Sequence, residues 1–408
     1  MTKSLLAAIV LIAALPFAWA CGSGGGGIGF VLKGRVFLDP ELSQGAPGVR
    51  VWCPAAGVQA ISDGKGNYTL EGTVEAEPSG DLPRLGVWFE GEGRAAVSKT
   101  FRPIPGVEAT AVVVLGKALT SQTVAVPGDK QSQAVTLGNA TVTLFQDSLV
   151  DQTGLRVTGE VEVNGATWEP VFADRVTIPV HPMVEPIDGG SDFVTPLVMT
   201  RFSFAADGGD LNIGGTQGVG LYMTSVNPMD GPITKDDDRL FVVDPMTGVL
   251  MERPSNKLDP QHNVLQAPIN ESGTWVWARD VAQPTCVNVH VSYAGGGPVL
   301  GADVRLAEDP GNGKDGLVLD EQIGVPGGIY CLRAPVGKTF RLRAWLSGAG
   351  GIREASQNVL TGAGGDCVQG CPKSFDIEFE CESDLECPAG SVCDQGACVA
   401  GTAEEGGV

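Results

Sequence analysis

Cysteine is the residue with which this chain is best equipped for chemistry, because a thiol can pair, ligate a soft metal or carry a lipid. There are 10 in 408 residues: Cys21, Cys53, Cys286, Cys331, Cys367, Cys371, Cys381, Cys387, Cys393 and Cys398. The last four run Cys381-x5-Cys387-Pro388-x-Gly390-x2-Cys393-x2-Gly396-x-Cys398. A unit of about twenty residues buries too little apolar surface to fold alone, so cross-links must hold it. Zinc competes with disulfides for four such thiols, and an oxidising compartment favours the disulfides. Of the three possible connectivities, interleaving (Cys381 with Cys393, Cys387 with Cys398) best closes so short a unit. Cys286 and Cys331 take the outward parity of their strands and are expected to pair on the exterior, with each other or with Cys367 and Cys371. If Cys21 is modified, an odd number remains. Cys53 shares a parity with Val49 and Val51 and is the natural unpaired thiol, behaving as a small hydrophobe.

Acid–base and nucleophilic groups are thinly provided. The three histidines, His181, His262 and His290, form no H-E-x-x-H or H-x3-5-H pattern, and His290 has outward parity. No G-x-S-x-G elbow and no complete Walker loop occurs; Gly313-Lys314 is followed by Asp315. Lys235-Asp236-Asp237-Asp238 with Asp244, and Glu308-Asp309-Pro310-Gly311-Asn312-Gly313, carry oxygen ligands without the D-x-[DN]-x-[DN]-G order, and read as solvated loops. No catalytic, cofactor-binding or metal residue is assigned, and no cofactor is expected. Triads assemble from distant residues, so a hydrolase with an unrecognised site in 121–283 is one alternative. Trp52, Trp88 and Trp345 lie on the strand face opposite the aliphatic residues. Exposed, they would stack on sugars, and a carbohydrate-binding envelope protein is the other alternative. The competing expectation is that these rings pack between units, since large exposed apolar patches are uncommon.

What must position these residues is a chain of short strands. Hydrophobic residues make 43%, and Gly 58 with Pro 27 amount to about a fifth of the chain, which favours turns and strands over long helices. The net charge of -21 repels phosphate backbones, so nucleic acid is not expected as a partner. Residues 1–20 read as a signal peptide: Lys3, then an apolar run from Leu5 to Phe17 too short to span a bilayer. The stretch Ala18-Trp19-Ala20-Cys21, followed by a glycine-rich tether over 21–27, resembles the bacterial lipoprotein signal in its cysteine and tether, and departs from it at Ala18 and Trp19. That resemblance implies a diacylglycerol on Cys21 and a membrane partner, as on an outer-membrane lipoprotein. Ala18-x-Ala20 equally fits ordinary cleavage and secretion; both readings imply export. The tether also matches G-x-G-x-x-G, but it follows no strand and is no dinucleotide site.

Residues 28–120 alternate with period two: Leu32, Gly34 and Val36 oppose Lys33 and Arg35, and Leu85, Val87 and Phe89 repeat the pattern. About seven short strands there give a small sandwich. The opening Gly34-x-Val36, then Gly48-Val49-x-Val51, then Asp63-x-x-Gly66-x-Tyr68 resemble the carboxypeptidase-regulatory-like (transthyretin-like) domain, which implies a non-catalytic module that props or presents others. The plan returns over 284–380 with Val287, Val289 and Val291, Gly301 to Leu306, Gly328-Ile329-Tyr330 and Phe340 to Leu346. On that reading Gly48–Val51 lies over Gly301–Val304, Tyr68 on Tyr330 and Trp88 on Trp345. Phe340, Leu342 and Ala344 should be buried, with Arg341 and Arg343 exposed. The β-rich middle, 121–283, closes with the Asp244–Gly248 turn and Gly273-Thr274-Trp275, and is loosely similar to cartilage intermediate layer proteins. Residues 381–400 resemble the short cysteine-rich motif of large bacterial surface lipoproteins, and 401–408 form an acidic tail. The expectation is an all-β chain of tandem sandwiches with a disulfide-rich end: a non-enzymatic cell-surface binding or scaffold lipoprotein that meets an unknown protein or glycan partner.

Overall fold

The computed structural model describes residues 27–400 except 40, 78–80, 129–130, 169–183, 186–192, 215–217, 225–237, 254–256, 260–263, 282–283, 310–317 and 390. The signal segment, Cys21, His181, His262, Lys235–Asp237, Gly311–Lys314 and the acidic tail fall outside these.

Alternation in the first hundred residues builds two facing sheets. The strands are β1 (Ile28–Phe37), β2 (Arg50–Cys53), β3 (Val58–Ile61), β4 (Asn67–Val74), β5 (Leu85–Glu90), β6 (Val97–Phe101) and β7 (Glu108–Val114). One sheet has the order β4-β1-β7 and the other β3-β2-β5-β6. Strand β7 runs parallel to β1, so the last strand closes the first sheet beside the first strand. Leu32, Val36, Val51, Leu70, Val87 and Phe89 meet in one core, and Cys53 is a buried free thiol within it. The turn before β4 is held by Asp63, whose Oδ1 accepts from the Lys65 and Asn67 amides, each at 2.8 Å. Gly34 has a steric reason: a Cβ there would sit 1.8 Å from the Ala111 carbonyl oxygen and 2.8 Å from the Tyr68 hydroxyl. Without it, Tyr68 can donate to Ala111 O at 3.0 Å.

The second sandwich comprises β8 (Pro284–Tyr293), β9 (Asp303–Glu308), β10 (Val318–Ile323), β11 (Ile329–Pro335), β12 (Thr339–Gly348), β13 (Gly351–Leu360) and β14 (Lys373–Phe379). Its sheets have the orders β11-β8-β14 and β10-β9-β12-β13, strand for strand the order of the first, again with the last strand parallel to the opening one. Leu85, Val87, Phe89, Phe340, Leu342 and Ala344 are all buried. Tyr68 and Tyr330 are each the second residue of their strand and buried. Their hydroxyls differ in reach, however: Tyr330 lies 3.2 Å from the carbonyls of Leu300 and Ala302 rather than against the last strand.

Two expectations are corrected by the register. Val51 pairs with Phe89 and Val304 with Ala344. Laying Val51 on Val304 therefore puts Trp345 on Glu90 and Arg343 on Trp88. The tryptophans share a face but stand two residues apart. Nor are Arg341 and Arg343 exposed: their side chains keep 15% and 21% of their surface, in ion pairs with Asp309 and Glu354. A paired guanidinium tolerates partial burial that an unpaired one does not.

Between the sandwiches a five-stranded sheet, whose order is Lys257–Asp259, Val264–Ile269, Val219–Thr224, Ala140–Phe145, Ser132–Leu137, faces a larger sheet centred on Val194–Ala206 and Gly273–Asp280. Leu137, Val142, Leu221 and Leu265 from the first share a core with Val163, Phe202, Phe204, Trp275 and Trp277 from the second. The strand Asp238–Val243 is followed by the Asp244–Gly248 turn, where Asp244 accepts from the Met246 amide at 3.1 Å and the Thr247 hydroxyl at 2.7 Å.

Candidate functional sites at the unit junctions

Strand β7 is the edge of its sheet, so the outward N–H and C=O groups of Thr110 and Val112 need partners from elsewhere. The second sandwich supplies them. The Thr110 amide donates to Gly301 O at 2.7 Å, and the Val112 amide to Asp303 Oδ2 at 2.9 Å. Arg305 Nη2 donates to Val112 O at 2.9 Å. An acid and a base two residues apart on β9 thus stand in for a neighbouring strand. The Ser347 amide adds a bond to Thr110 Oγ1 at 2.9 Å.

Behind that contact lies a buried ionic group. Glu321, on β10, accepts from Arg305 Nε at 2.9 Å and Nη2 at 2.7 Å, and receives Lys99 of β6 on both oxygens at 2.7 and 2.5 Å. Side-chain exposure is 13% for Lys99, 3% for Glu321, 9% for Arg305 and 0% for Asp303, which places all four out of water. The Arg305 guanidinium lies 4.5 Å from the centre of the Trp345 ring, whose Nε1 donates to Glu354 at 3.0 Å. Burial pushes the Asp303 carboxyl up to about 8, reinforced by the charge of Glu321 and opposed by Arg305 and Lys99. Asp303 Oδ1 has no hydrogen-bond partner among the described residues. Burial lowers the Lys99 ammonium, with Arg305 acting in the same direction and Glu321 opposing it. These four residues escaped sequence reasoning. Their signal was an acid and a base on the outward parity of β9, close to Trp345.

The first sandwich meets the middle unit through its tryptophan face. Trp88 is buried and donates Nε1 to Pro245 O at 2.8 Å, while the Gly86 amide donates to Met246 O at 2.7 Å. Gly86 is required here, since a Cβ would come 2.7 Å from the Gly248 nitrogen. Trp88 joins Trp168, Met199 and Phe241 in one apolar cluster, with Trp52 partly buried against it. Trp345 is 1% exposed and packs with Phe37 and Val112 of the first sandwich. Trp88 and Trp345 therefore pack between units, as the low frequency of large exposed apolar patches led one to expect, and they do not form the exposed platform that the sugar-binding alternative requires. The middle unit also reaches the second sandwich, because Phe193 joins the latter's core and the Arg333 guanidinium lies 5.4 Å from the centre of the Phe193 ring.

Each cysteine among the described residues other than Cys53 is cross-linked. Cys286 joins Cys371, Cys331 joins Cys367, Cys381 joins Cys393 and Cys387 joins Cys398. The first two pairs stitch the loop before β14 onto the outer face of β8 and β11. Cys286, outward by parity, is buried beneath that loop. The terminal knot docks through the Cys398 amide, which donates to Ala294 O at 2.7 Å, and through Arg353, whose Nη2 donates to Glu386 Oε1 at 2.7 Å. His290 is exposed, with Nδ1 3.8 Å from an Asp376 carboxylate oxygen.

No family model matches the chain, and no curated protein matches it. Among solved structures it is similar to the TIE protein of Bacillus anthracis, with a TM-score of 0.18 and 10% identity over 86% of this chain and 50% of that one. The chain therefore spans half the length of that protein. BcpA, the major pilin subunit of Bacillus cereus, aligns with a TM-score of 0.18 and 7% identity over 86% of this chain and 99% of the pilin. The major pilin SpaD of Corynebacterium diphtheriae gives 0.17 and 10% over 86% and 96%. These are remote similarities among β-rich chains.

Proposed function

We propose that this protein is a non-enzymatic scaffold of the bacterial cell surface. Two carboxypeptidase-regulatory-like sandwiches brace a middle β unit in it, and a lipid on Cys21 ties it to the membrane. The observation that supports this most is how the reactive-looking groups are used. Lys99, Asp303, Arg305 and Glu321, and the outward tryptophans, are all engaged at contacts between units. Chemistry buried between modules serves to hold them in one arrangement, and it is withheld from any substrate. The three units touch pairwise, so the support is a braced block and not a string of separate beads.

Fractionation of producing cells with intact-mass analysis tests the anchored form. The membrane fraction should hold a chain that begins at an acylated Cys21. A soluble chain with an unmodified Cys21 would overturn the anchor. Limited proteolysis tests the brace: cleavage between units should be slow in the wild type and fast in Glu321→Ala. Equal rates would overturn the reading of the junction as a structural clamp.

A further inference from the structure

Four sulfur atoms converge on the outer face of the second sandwich, and they come from two different disulfides. Cys286 on β8 and Cys331 on β11 are diagonal neighbours: Cys286 is opposite Arg333 and Cys331 opposite Asn288, so both side chains leave the same face. Cys367 and Cys371 descend on them from the loop before β14. The three residues between those two give the close Cys-x3-Cys spacing of a metal knuckle. Asp366 shapes this turn by accepting from the Val368 and Gln369 amides at 2.8 and 2.6 Å, and Gly370 adopts a φ of 110°. All four sulfurs lie within 4.8 Å of one another, and Cys331 Sγ stands only 3.2 Å from Cys371 Sγ of the other bridge.

A tetrahedral zinc ion with bonds of about 2.3 Å to sulfur needs its ligands roughly 3.8 Å apart. The unbonded sulfurs already bracket that spacing, from 3.2 Å to within 4.8 Å, and reduction frees each bonded pair to spread to it by side-chain rotation on this frame. The terminal knot differs: of its cysteines only Cys381, Cys387 and Cys398 bring their sulfurs within the same range. Cys367 is exposed and Cys286 buried, which gives an ion an entry side and a closed floor.

We infer that Cys286, Cys331, Cys367 and Cys371 form a four-thiolate zinc site in the reduced chain, and that the two disulfides are the oxidised state of this same site. Binding replaces four thiol protons: one Zn2+ and four Cys–SH give the tetrathiolate and four H+. Oxidation forms two S–S bonds, passes two electron pairs to a disulfide-bearing oxidoreductase, and releases the ion. The loop carrying Cys367 and Cys371 stays fastened to β8 and β11 in both states, so its anchoring does not wait for the oxidant.

The full chain, kept reduced with a phosphine, is titrated with Co2+ and then Zn2+. One equivalent of cobalt should give the thiolate-to-metal and ligand-field absorption of a tetrahedral tetrathiolate, displaced by one equivalent of zinc. Cys367→Ser with Cys371→Ser should abolish the signal, and Cys387→Ser with Cys393→Ser should leave it intact. Alkylation mapping of the wild type needs no variant to fold: zinc should protect Cys286, Cys331, Cys367 and Cys371 and leave the knot cysteines reactive. Absence of the cobalt spectrum, its survival without Cys367 and Cys371, or equal alkylation of the four with and without zinc would each overturn the site.

Discussion

Asp303 is an acid whose carboxyl is pushed from the ordinary aspartate value up to about 8 by burial at the first junction. The folded chain therefore holds a proton there that the unfolded chain releases above pH 4. Stability from this group is fully present below about pH 4 and declines as pH rises toward 8. Asp303→Asn removes the titration, so its melting temperature should vary less than that of the wild type between those limits. Calorimetry across that range checks this, and identical slopes would show that Asp303 does not set the profile. Glu321 carries a different cost. Its removal leaves Lys99 and Arg305 buried without their anion, and Glu321→Ala should lose about 3–5 kcal/mol in urea denaturation. Lys33 with Glu108 is the comparison: their side chains keep 33% and 58% of their surface, and Lys33→Ala should change stability by at most ~1 kcal/mol.

Elements divide sharply in how far they could be read from sequence. The strands announce themselves because apolar residues recur every second position, and Leu85, Val87 and Phe89 can face only one way in a two-layer sandwich. The repeated order β4-β1-β7 and β11-β8-β14 follows from that local pattern and from short turns such as the one Asp63 holds. The junction could not be read in the same way. Parity correctly turns Asp303, Arg305 and Trp345 outward, yet the outward face of one sandwich is the inward face of the assembly. Lys99 and Glu321 are 222 residues apart, beyond the reach of any periodicity. Glycine gives the test at this scale. A methyl group on Gly34 would collide with the fixed carbonyl of Ala111, and Gly34→Ala should cost about 3 kcal/mol or more. At Gly64 an added Cβ meets nothing within 4 Å, and Gly64→Ala should stay within about 0.5 kcal/mol. Chemical denaturation of both variants decides it.

At the scale of the molecule, the partners that cover β7 arrive late. Val112 is followed 191 residues later by the Asp303 carboxyl whose Oδ2 takes its amide. At synthesis rates of about 5–20 residues per second, roughly 10–40 s separate the two. For that interval the nascent first sandwich carries an unsatisfied strand edge, the kind of surface on which one chain recruits another. A chain ending at residue 283 makes that interval permanent. It should self-associate through β7, growing with concentration in light scattering while the full chain stays at constant mass. A truncated chain that remained monomeric would mean the edge is protected by its own module. The Asp303–Arg305 clamp thus has a temporal side: until the second sandwich has emerged, β7 stays open to pairing with another chain.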